Sequence, residues 1–416
     1  MDTQKRLLIL GSLGEFVELV KLAGSRGYYT VVCDGYPDGP AKRYADRSYD
    51  IDVREVDAIA AMCRAERIDA ITGSFSDLLF EQITLIAAKA GLKWYATPEM
   101  IPFYREKNVT KDILSKLGVS VPRNVTLQKD FSDDELAELR FPLVIKPVNA
   151  YGSRGLYVVH SAGEIREHFD EIVSDSAIKR VQAEEYSRGR EYNMMSWVRE
   201  GKVNVISIAD REKNPQEGNT IPLLNRVAYP AKAIGQILDE ARDVLQRFAD
   251  YTGQRDGALS MQFFYNDRGV EVCEIAGRFF GYEHEMATFC GGLSFEELLL
   301  NYAFEPERIE EQFRAYSPLF DICYAGLYLM GQEGKIVADD SALRTLADDP
   351  HVREAVFFYA PGERIVYGGA KPYLARFYLT APSREELDAV TERFFAEAKV
   401  NATDGTELVR RAVMER

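Results

Sequence analysis

Short apolar runs alternate with amphipathic stretches at the start of the chain. Arg6–Leu10 reads as a buried strand; Gly11-Ser-Leu-Gly14 follows, then a helix with Phe16, Leu19, Val20 and Ala23 on one face. Tyr29–Asp34 reads as a second strand ending in an acid, which completes a β-α-β unit of the doubly wound kind. A helix near 54–66, a strand Ile68–Thr72, a helix over 77–90 and a strand Lys93–Tyr95 repeat the alternation. Residues 1–97 are therefore expected to form a small open α/β domain.

The pattern changes after Thr97-Pro98. Arg105-Glu-Lys107-Asn-Val-Thr-Lys111 begins a helix that Gly118 ends. From 141 to about 200 the order is strand, loop, strand, helix (Glu164–Val173), strand (Lys179–Glu185) and a long strand, 192–199, which Gly201 turns into a partner, 203–210. Residues 211–226 are polar, carry Asn-Pro, Glu-Gly and Ile-Pro signals, and read as a mobile loop. A helix over 233–251 precedes strands 258–265 and 270–276, joined by a hairpin turn at Asn266-Asp-Arg-Gly269. After a helix over 294–304 come strands Cys323–Gly331, Ala355–Tyr359 and Ala375–Thr380 and a last helix near 383–398, which read as a terminal α+β lobe closing over the rest.

A chain of 416 residues has room for two or three domains. With 46% hydrophobic and 28% charged residues it has the make-up of a soluble globular enzyme. A formal charge of −15 repels nucleic acid and anionic membrane, so any polyanion must be held by a local cationic cluster. The five cysteines (33, 63, 273, 290 and 323) show no CxxC spacing, which argues against a zinc site or disulfide framework and suits a reducing cytoplasm. The four histidines (160, 168, 284 and 351) are too scattered for a histidine metal centre. No secretory leader and no apolar run of membrane-spanning length is visible.

The strongest chemical signal is Phe141-Pro-Leu-Val-Ile-Lys146-Pro-Val-Asn-Ala-Tyr-Gly152-Ser153-Arg-Gly155, with Leu-Tyr-Val-Val159 after it. An ammonium at the end of an apolar strand, followed by a glycine loop with free backbone N–H groups, suits a polyphosphate under a β-hairpin lid. It is not the Walker pattern, in which Gly-Lys-Ser/Thr opens a helix. A solvated strand-end lysine is the plain alternative, but the apolar flanks of Lys146 call for a negative partner. In Ala183-Glu184-Glu185-Tyr186-Ser187-Arg-Gly-Arg-Glu191, a charged strand end competes with a hinge whose backbone meets an adenine edge while Glu191 meets ribose hydroxyls. The hairpin 258–276 puts Gln262 opposite Glu274, and strand alternation predicts Gln262, Phe264, Val272 and Glu274 on one face. Two oxygen ligands beside a phosphate make a fair Mg²⁺ site; an ion pair between Glu274 and Arg278 is the alternative. Arg278 is a candidate to stabilise a transferring phosphoryl group or a tetrahedral oxyanion. Beyond it, Tyr282, Glu283 and His284 are candidate substrate contacts, although a histidine there is more often a structural hydrogen-bonder.

Taken in order, these segments resemble the ATP-grasp superfamily, in its biotin-carboxylase-like and carbamoyl-phosphate-synthetase-like branch, over nearly the whole chain. The resemblance implies a Rossmann-like pre-ATP-grasp domain (1–97), then an ATP-grasp fold of two α+β lobes (98–320, with a lid lobe about 122–190 and a central lobe about 191–310), then a C-terminal α+β subdomain (321–416). It implies that Lys107 and Lys146 hold the α- and β-phosphates under the lid of Gly152, Ser153 and Gly155. It implies that Glu184, Glu185, Tyr186, Ser187 and Glu191 serve adenine and ribose, and that Gln262 and Glu274 hold Mg²⁺, with Mn²⁺ as a substitute. Where the family pattern is Glu-x-Asn-x-Arg, this chain has Glu274-Ile-Ala276-Gly-Arg278, and alanine cannot coordinate a second metal.

The activity so implied is ATP-dependent carboxylate–amine ligation through an acyl phosphate, with Lys146 and Arg278 as the catalytic pair. The expected partners are a small carboxylate and an amine, with neither nucleic acid nor membrane, and homodimers are common in the family. The alternatives are carbamoyl-phosphate or bicarbonate-activating chemistry and a non-catalytic ATP-binding protein.

Overall fold

A computed structural model describes residues 4–414 except 74, 149–155, 175, 177–178, 216–221, 282–287, 290, 315, 368–370 and 372. Strands β1 (Arg6–Leu10), β2 (Tyr29–Cys33), β3 (Arg47–Tyr49) and β4 (Ala70–Thr72) form a parallel sheet in the order β3-β2-β1-β4. Leu7, Leu8, Ile9 and Leu10 are all fully buried, as a strand covered on both faces requires. Helices α1 (Val17–Ser25), α2 (Val56–Glu66) and α3 (Asp77–Ala90) connect or follow these strands. Ser76 caps α3 by accepting from the Leu79 N–H, and Gly91, in the left-handed region, ends it. The strand expected at Lys93–Tyr95 is reduced to one parallel bridge, Ala70 to Lys93.

Two short helices, α4 (Ile101–Arg105) and α5 (Lys107–Lys116), lead into a four-stranded antiparallel lid. It comprises β5 (Asn124–Leu127), β6 (Leu143–Pro147), β7 (Tyr157–Val159) and β8 (Val181–Glu185), in the order β5-β8-β6-β7. Helix α6 (Ala162–Ile172) packs against it, and Ile165 and Phe169 join Leu127, Leu143 and Ile145 in a core confined to this lobe.

The centre is an eight-stranded antiparallel sheet. Its strands are β9 (Arg190–Arg199), β10 (Lys202–Lys213), β11 (Leu224–Tyr229), β12 (Asp256–Asn266), β13 (Gly269–Ala276), β14 (Cys323–Leu329), β16 (Val352–Phe357) and β17 (Ala375–Ala381), ordered β13-β12-β9-β10-β11-β14-β17-β16. β15 (Val337–Asp339) and β18 (Asn401–Ala402) pair separately. Helix α7 (Ile234–Thr252) packs its buried stripe of Ala241, Val244, Leu245 and Phe248 against the sheet.

One expectation is corrected. Residues 211–226 are not one loop: β10 continues to Lys213, β11 starts at Leu224, and Arg211 pairs with Val227. The strands after residue 321 share a core of their own, and β14 also pairs with β11 and carries the central sheet onward. Among the described residues no helix is long and apolar enough to cross a membrane.

Candidate active site

Alternation along β6 buries Leu143, Ile145 and Pro147 and turns Val144 and Lys146 the other way. Lys146 Nζ lies 3.0 Å from Glu184 Oε2 on the neighbouring β8. Lys111 Nζ, from α5, reaches the same oxygen at 2.6 Å. Lys107 stands one turn earlier on α5, on the same helix face as Lys111. Both line a cavity of about 100 Å³ together with Asp77, Arg105 and Glu274. Lys107 is exposed as a residue, but local desolvation of its ammonium, helped by the Lys146 charge, pushes it below its ordinary 10.5. Burial also lowers Lys111, against the pull of Glu184. Burial alone would raise Glu184, but Lys146 and Lys111 hold it below the usual carboxylate range. Three ammoniums crowded around one paired carboxylate suit an anion supplied from outside.

Beside this cluster an open cleft of about 1120 Å³ separates the lid from the central sheet. Val144, Leu156 and Tyr157 line its lid side, and Gln262 and Phe264 its sheet side. The connection Glu185-Tyr186-Ser187-Arg188-Gly189 runs along it. Gly189 has φ +142°, and a Cβ there would lie 2.5 Å from the Tyr265 carbonyl oxygen, so glycine lets this connection rest on β12. Ser187 Oγ donates to Glu271 Oε1 at 2.6 Å, which fixes the other end. Glu191 is buried and accepts from Arg211 Nε at 2.7 Å and Gln262 Nε2 at 2.6 Å, and it also pairs with Lys213. Burial would raise its carboxyl, but Arg211 and Lys213 hold it low.

Gln262 does face Glu274 across the hairpin. The shared face is only partly as expected: a bulge after Gln262 slips the register, sets Val272 opposite Phe263, and buries both, while Gln262, Phe264 and Glu274 stay at the cavities. Among the described residues no three His, Cys, Asp or Glu side chains converge as a metal site. Mg²⁺ commonly takes one or two carboxylates and completes its shell with substrate phosphate and water. Glu274, with Gln262 at the paired position, fits such a partial site.

Arg278 is held in a bidentate grip by Asp77, Nε to Oδ1 at 2.7 Å and Nη2 to Oδ2 at 2.8 Å. Asp77 is the first residue of α3. A Cβ on Gly277 would meet the Phe80 ring at 2.8 Å, so its absence lets α3 approach this strand end. Burial would raise Asp77, but Arg278, then Arg105 and Lys107, hold it low.

The structure thus places Lys107 and Glu274 at the smaller cavity and Glu184, Glu185, Tyr186, Ser187, Glu191 and Gln262 along the larger one, pairs Lys146 with Glu184, and sets Arg278 on Asp77 beside the smaller. Gly152, Ser153 and Gly155 lie outside the described residues, as do Tyr282, Glu283 and His284. The sequence reading assigned no role to Lys111, Asp77, Arg105, Arg211 or Lys213. Lys111 was within reach, since it is four residues from Lys107 on one helix.

Residues 139–284 match the ATP-grasp domain family. A formate-dependent phosphoribosylglycinamide formyltransferase of Burkholderia vietnamiensis is 28% identical over 40% of this chain and 41% of its own. The large chain of carbamoyl phosphate synthase from Vibrio cholerae is 23% identical over 61% of this chain. This chain therefore spans less than half of each of these two relatives, 41% and 24% of their lengths. An L-amino acid ligase structure from Bacillus licheniformis superposes with a TM-score of 0.78 at 18% identity, covering 100% of both chains. The family match thus places an ATP-grasp domain at residues 139–284, and the fold of the chain from end to end is that of the L-amino acid ligase structure.

Proposed function

We propose that this protein is an ATP-dependent carboxylate–amine ligase acting on small carboxylic acids or amino acids. The observation that carries the reading is the concentration of positive charge at Lys107, Lys111 and Lys146, of which Lys111 is buried, set beside Glu274 at the foot of an open cleft. ATP would lie in the cleft with its base along Glu185–Ser187 and its phosphates on the lysines. Glu274 and Gln262 would hold Mg²⁺, which supplies charge neutralisation on the phosphates.

A carboxylate oxygen of the acid attacks the γ-phosphorus and the bond to the ADP oxygen breaks, leaving an acyl phosphate. The amine then adds to the acyl carbon, phosphate leaves, and the amine loses a proton. The chain's part is positioning and electrostatic stabilisation. Lys146 and Lys107 neutralise phosphate charge. Arg278, kept in orientation by Asp77, faces the charge that develops at the acyl centre. Similarity to an L-amino acid ligase, a phosphoribosylglycinamide formyltransferase and a carbamoyl phosphate synthase supports the reaction class.

A phosphate-release screen over pairs of amino acids and small acids, with product masses, tests the reading. A new amide or peptide formed with one ADP supports it. Bicarbonate-stimulated ATP hydrolysis without an amide product replaces it with carboxyphosphate chemistry, and tight ATP binding without turnover on any pair replaces it with a regulator.

A further inference from the structure

The lid lobe joins the rest of the chain at two crossings, residues 118–123 before β5 and 185–189 after β8. Its core is confined to the lobe, so these crossings are where it can turn as a body. The first crossing runs beside β13, the edge strand of the central sheet. Ser120 forms a parallel bridge with Glu271, and the Val272 N–H donates to the Ser120 carbonyl oxygen at 2.9 Å. The second crossing is tied to the first, since the Glu185 N–H donates to the Arg123 carbonyl oxygen at 2.8 Å.

One side chain meets both crossings. Glu271 is only 1% exposed. Its Oε1 accepts from Ser187 Oγ of the second crossing at 2.6 Å. Its Oε2 takes a longer bond from Ser120 Oγ of the first, at 3.4 Å. Arg268 Nη2, also 3.4 Å from Oε2, supplies the compensating charge. Burying a carboxylate is unfavourable unless its lone pairs are used, and here two hydroxyls from separate crossings use them. A hydroxyl rotates to follow its acceptor, so such bonds hold while the crossings turn.

The connection Glu185–Arg188 also has free space on two sides. It lines the large cleft and a further cavity of about 550 Å³. Arg123, Phe141 and Pro142 form the lid wall of that cavity, and Asn266, Asp267 and Arg268 of the hairpin turn form the facing wall. A lid that turns about Glu271 narrows one space and widens the other, and leaves both cores packed.

We propose that Glu271 is the pin of the lid's hinge, a positioning residue that holds both crossings on the edge of the central sheet. It thereby sets the angle at which Glu185–Ser187 meet a nucleotide's base. Only this last step rests on the ligase reading.

Hydrogen exchange on the full chain without nucleotide, read by mass spectrometry, tests the pin. In Glu271→Ala, peptides over 119–123 and 185–189 should exchange about tenfold faster or more, as for the loss of a charge-assisted bond, with β6 and β9 unchanged. Glu271→Gln keeps one acceptor for Ser187 and should restore most of the protection at 185–189. Ser187→Ala should speed 185–189 alone. The pin is overturned if both crossings exchange at the wild-type rate in Glu271→Ala, or if exchange rises evenly through β6 and β9 as well, which marks general destabilisation. Should Glu271→Ala fail to fold, Ser187→Ala decides: faster exchange confined to 185–189 supports the pin, and wild-type exchange there overturns it. Calorimetry with a non-hydrolysable ATP analogue tests the positioning step, and Glu271→Ala should bind it about tenfold more weakly. Equal binding by the variant and the wild type overturns that step. No binding by the wild type overturns the ligase reading instead, and the exchange result still decides the hinge.

Discussion

Two ion clusters flank the large cleft, and they are composed differently. At its foot, Lys111 and Lys146 share Glu184, with Lys107 beside them. Toward the C-terminal strands, Arg226, Arg384 and Lys232 meet Glu212, Asp210 and Asp388. Arg226 Nη1 is 2.7 Å from Glu212 and its Nη2 is 2.7 Å from Asp388. Arg384 is 2.6 Å from Asp210, and Lys232 is 2.9 Å from Asp388. Each holds a buried cation, Lys111 in one and Arg226 in the other, so a buried cation by itself does not mark function. The balance of charge does: three cations with three anions close on themselves, while three cations with Glu184 and Glu274 keep a net positive charge that leaves room for a ligand.

The balanced cluster should respond most strongly to losing a member. Arg226→Met leaves Glu212 buried without its closest cation, and Arg226 itself is fully buried. It should cost about 3–5 kcal/mol of stability in a denaturant titration. A loss under about 1 kcal/mol would show that the cluster is not held together in this way.

In the unbalanced cluster the largest effect should fall on turnover. Lys146→Ala should lower ADP formation by about 100-fold or more, as for loss of one preorganised electrostatic group, with circular dichroism unchanged. ADP formation at the wild-type rate would remove Lys146 from the phosphate site.

Lys107 sharpens the contrast further. Its folded value lies below 10.5, so as pH rises through the window from that lowered value to 10.5 the unfolded chain holds more protons than the folded one. Stability of the nucleotide-free protein should therefore gain a contribution across that window, the reverse of a stabilising lysine pair. Nucleotide affinity should fall over the same range as the ammonium is lost. Lys107→Met should leave the ligand-free Tm unchanged or raised, abolish both pH effects, and weaken ATP binding. A clearly lowered ligand-free Tm in this variant would place Lys107 in the structural class of Arg226.

The difference between the clusters also explains what could be foreseen. Lys146 was legible because its context is local: apolar alternation on one side, glycines on the other. The pairing of Gln262 with Glu274 was legible because a short hairpin fixes register within 13 residues. Val272 was misplaced because a one-residue bulge reverses the face and leaves no mark in the alternation. Asp77 was invisible as a partner of Arg278, since 201 residues separate them and only the tertiary approach of α3 joins them. Arg211 and Lys213 were hidden when turn signals between 214 and 222 were extended over the strand ends that flank them. Arg226 looked like a loop residue for the same reason, and its burial depends on acids from β10 and the helix Arg384–Glu397.

The smallest expected effect bears on the metal side of the same site. Ala276 is fully buried two residues beyond Glu274, hence on the same side of β13, and faces Ser260 across the hairpin. If Mg²⁺ is completed by phosphate and water around Glu274, an asparagine oxygen at 276 would add one ligand to a site that already works. Ala276→Asn should then shift the Mg²⁺ concentration for half-maximal ADP formation by only about two- to tenfold, the equivalent of roughly 0.4–1.4 kcal/mol. Overpacking of this buried position would instead lower Tm and leave the Mg²⁺ dependence where it was. Measuring both in one variant separates the two: a changed metal dependence at constant Tm places 276 in the metal's reach, and an unchanged dependence assigns the position to packing, with charge balance at the lysines left as the feature that defines the site.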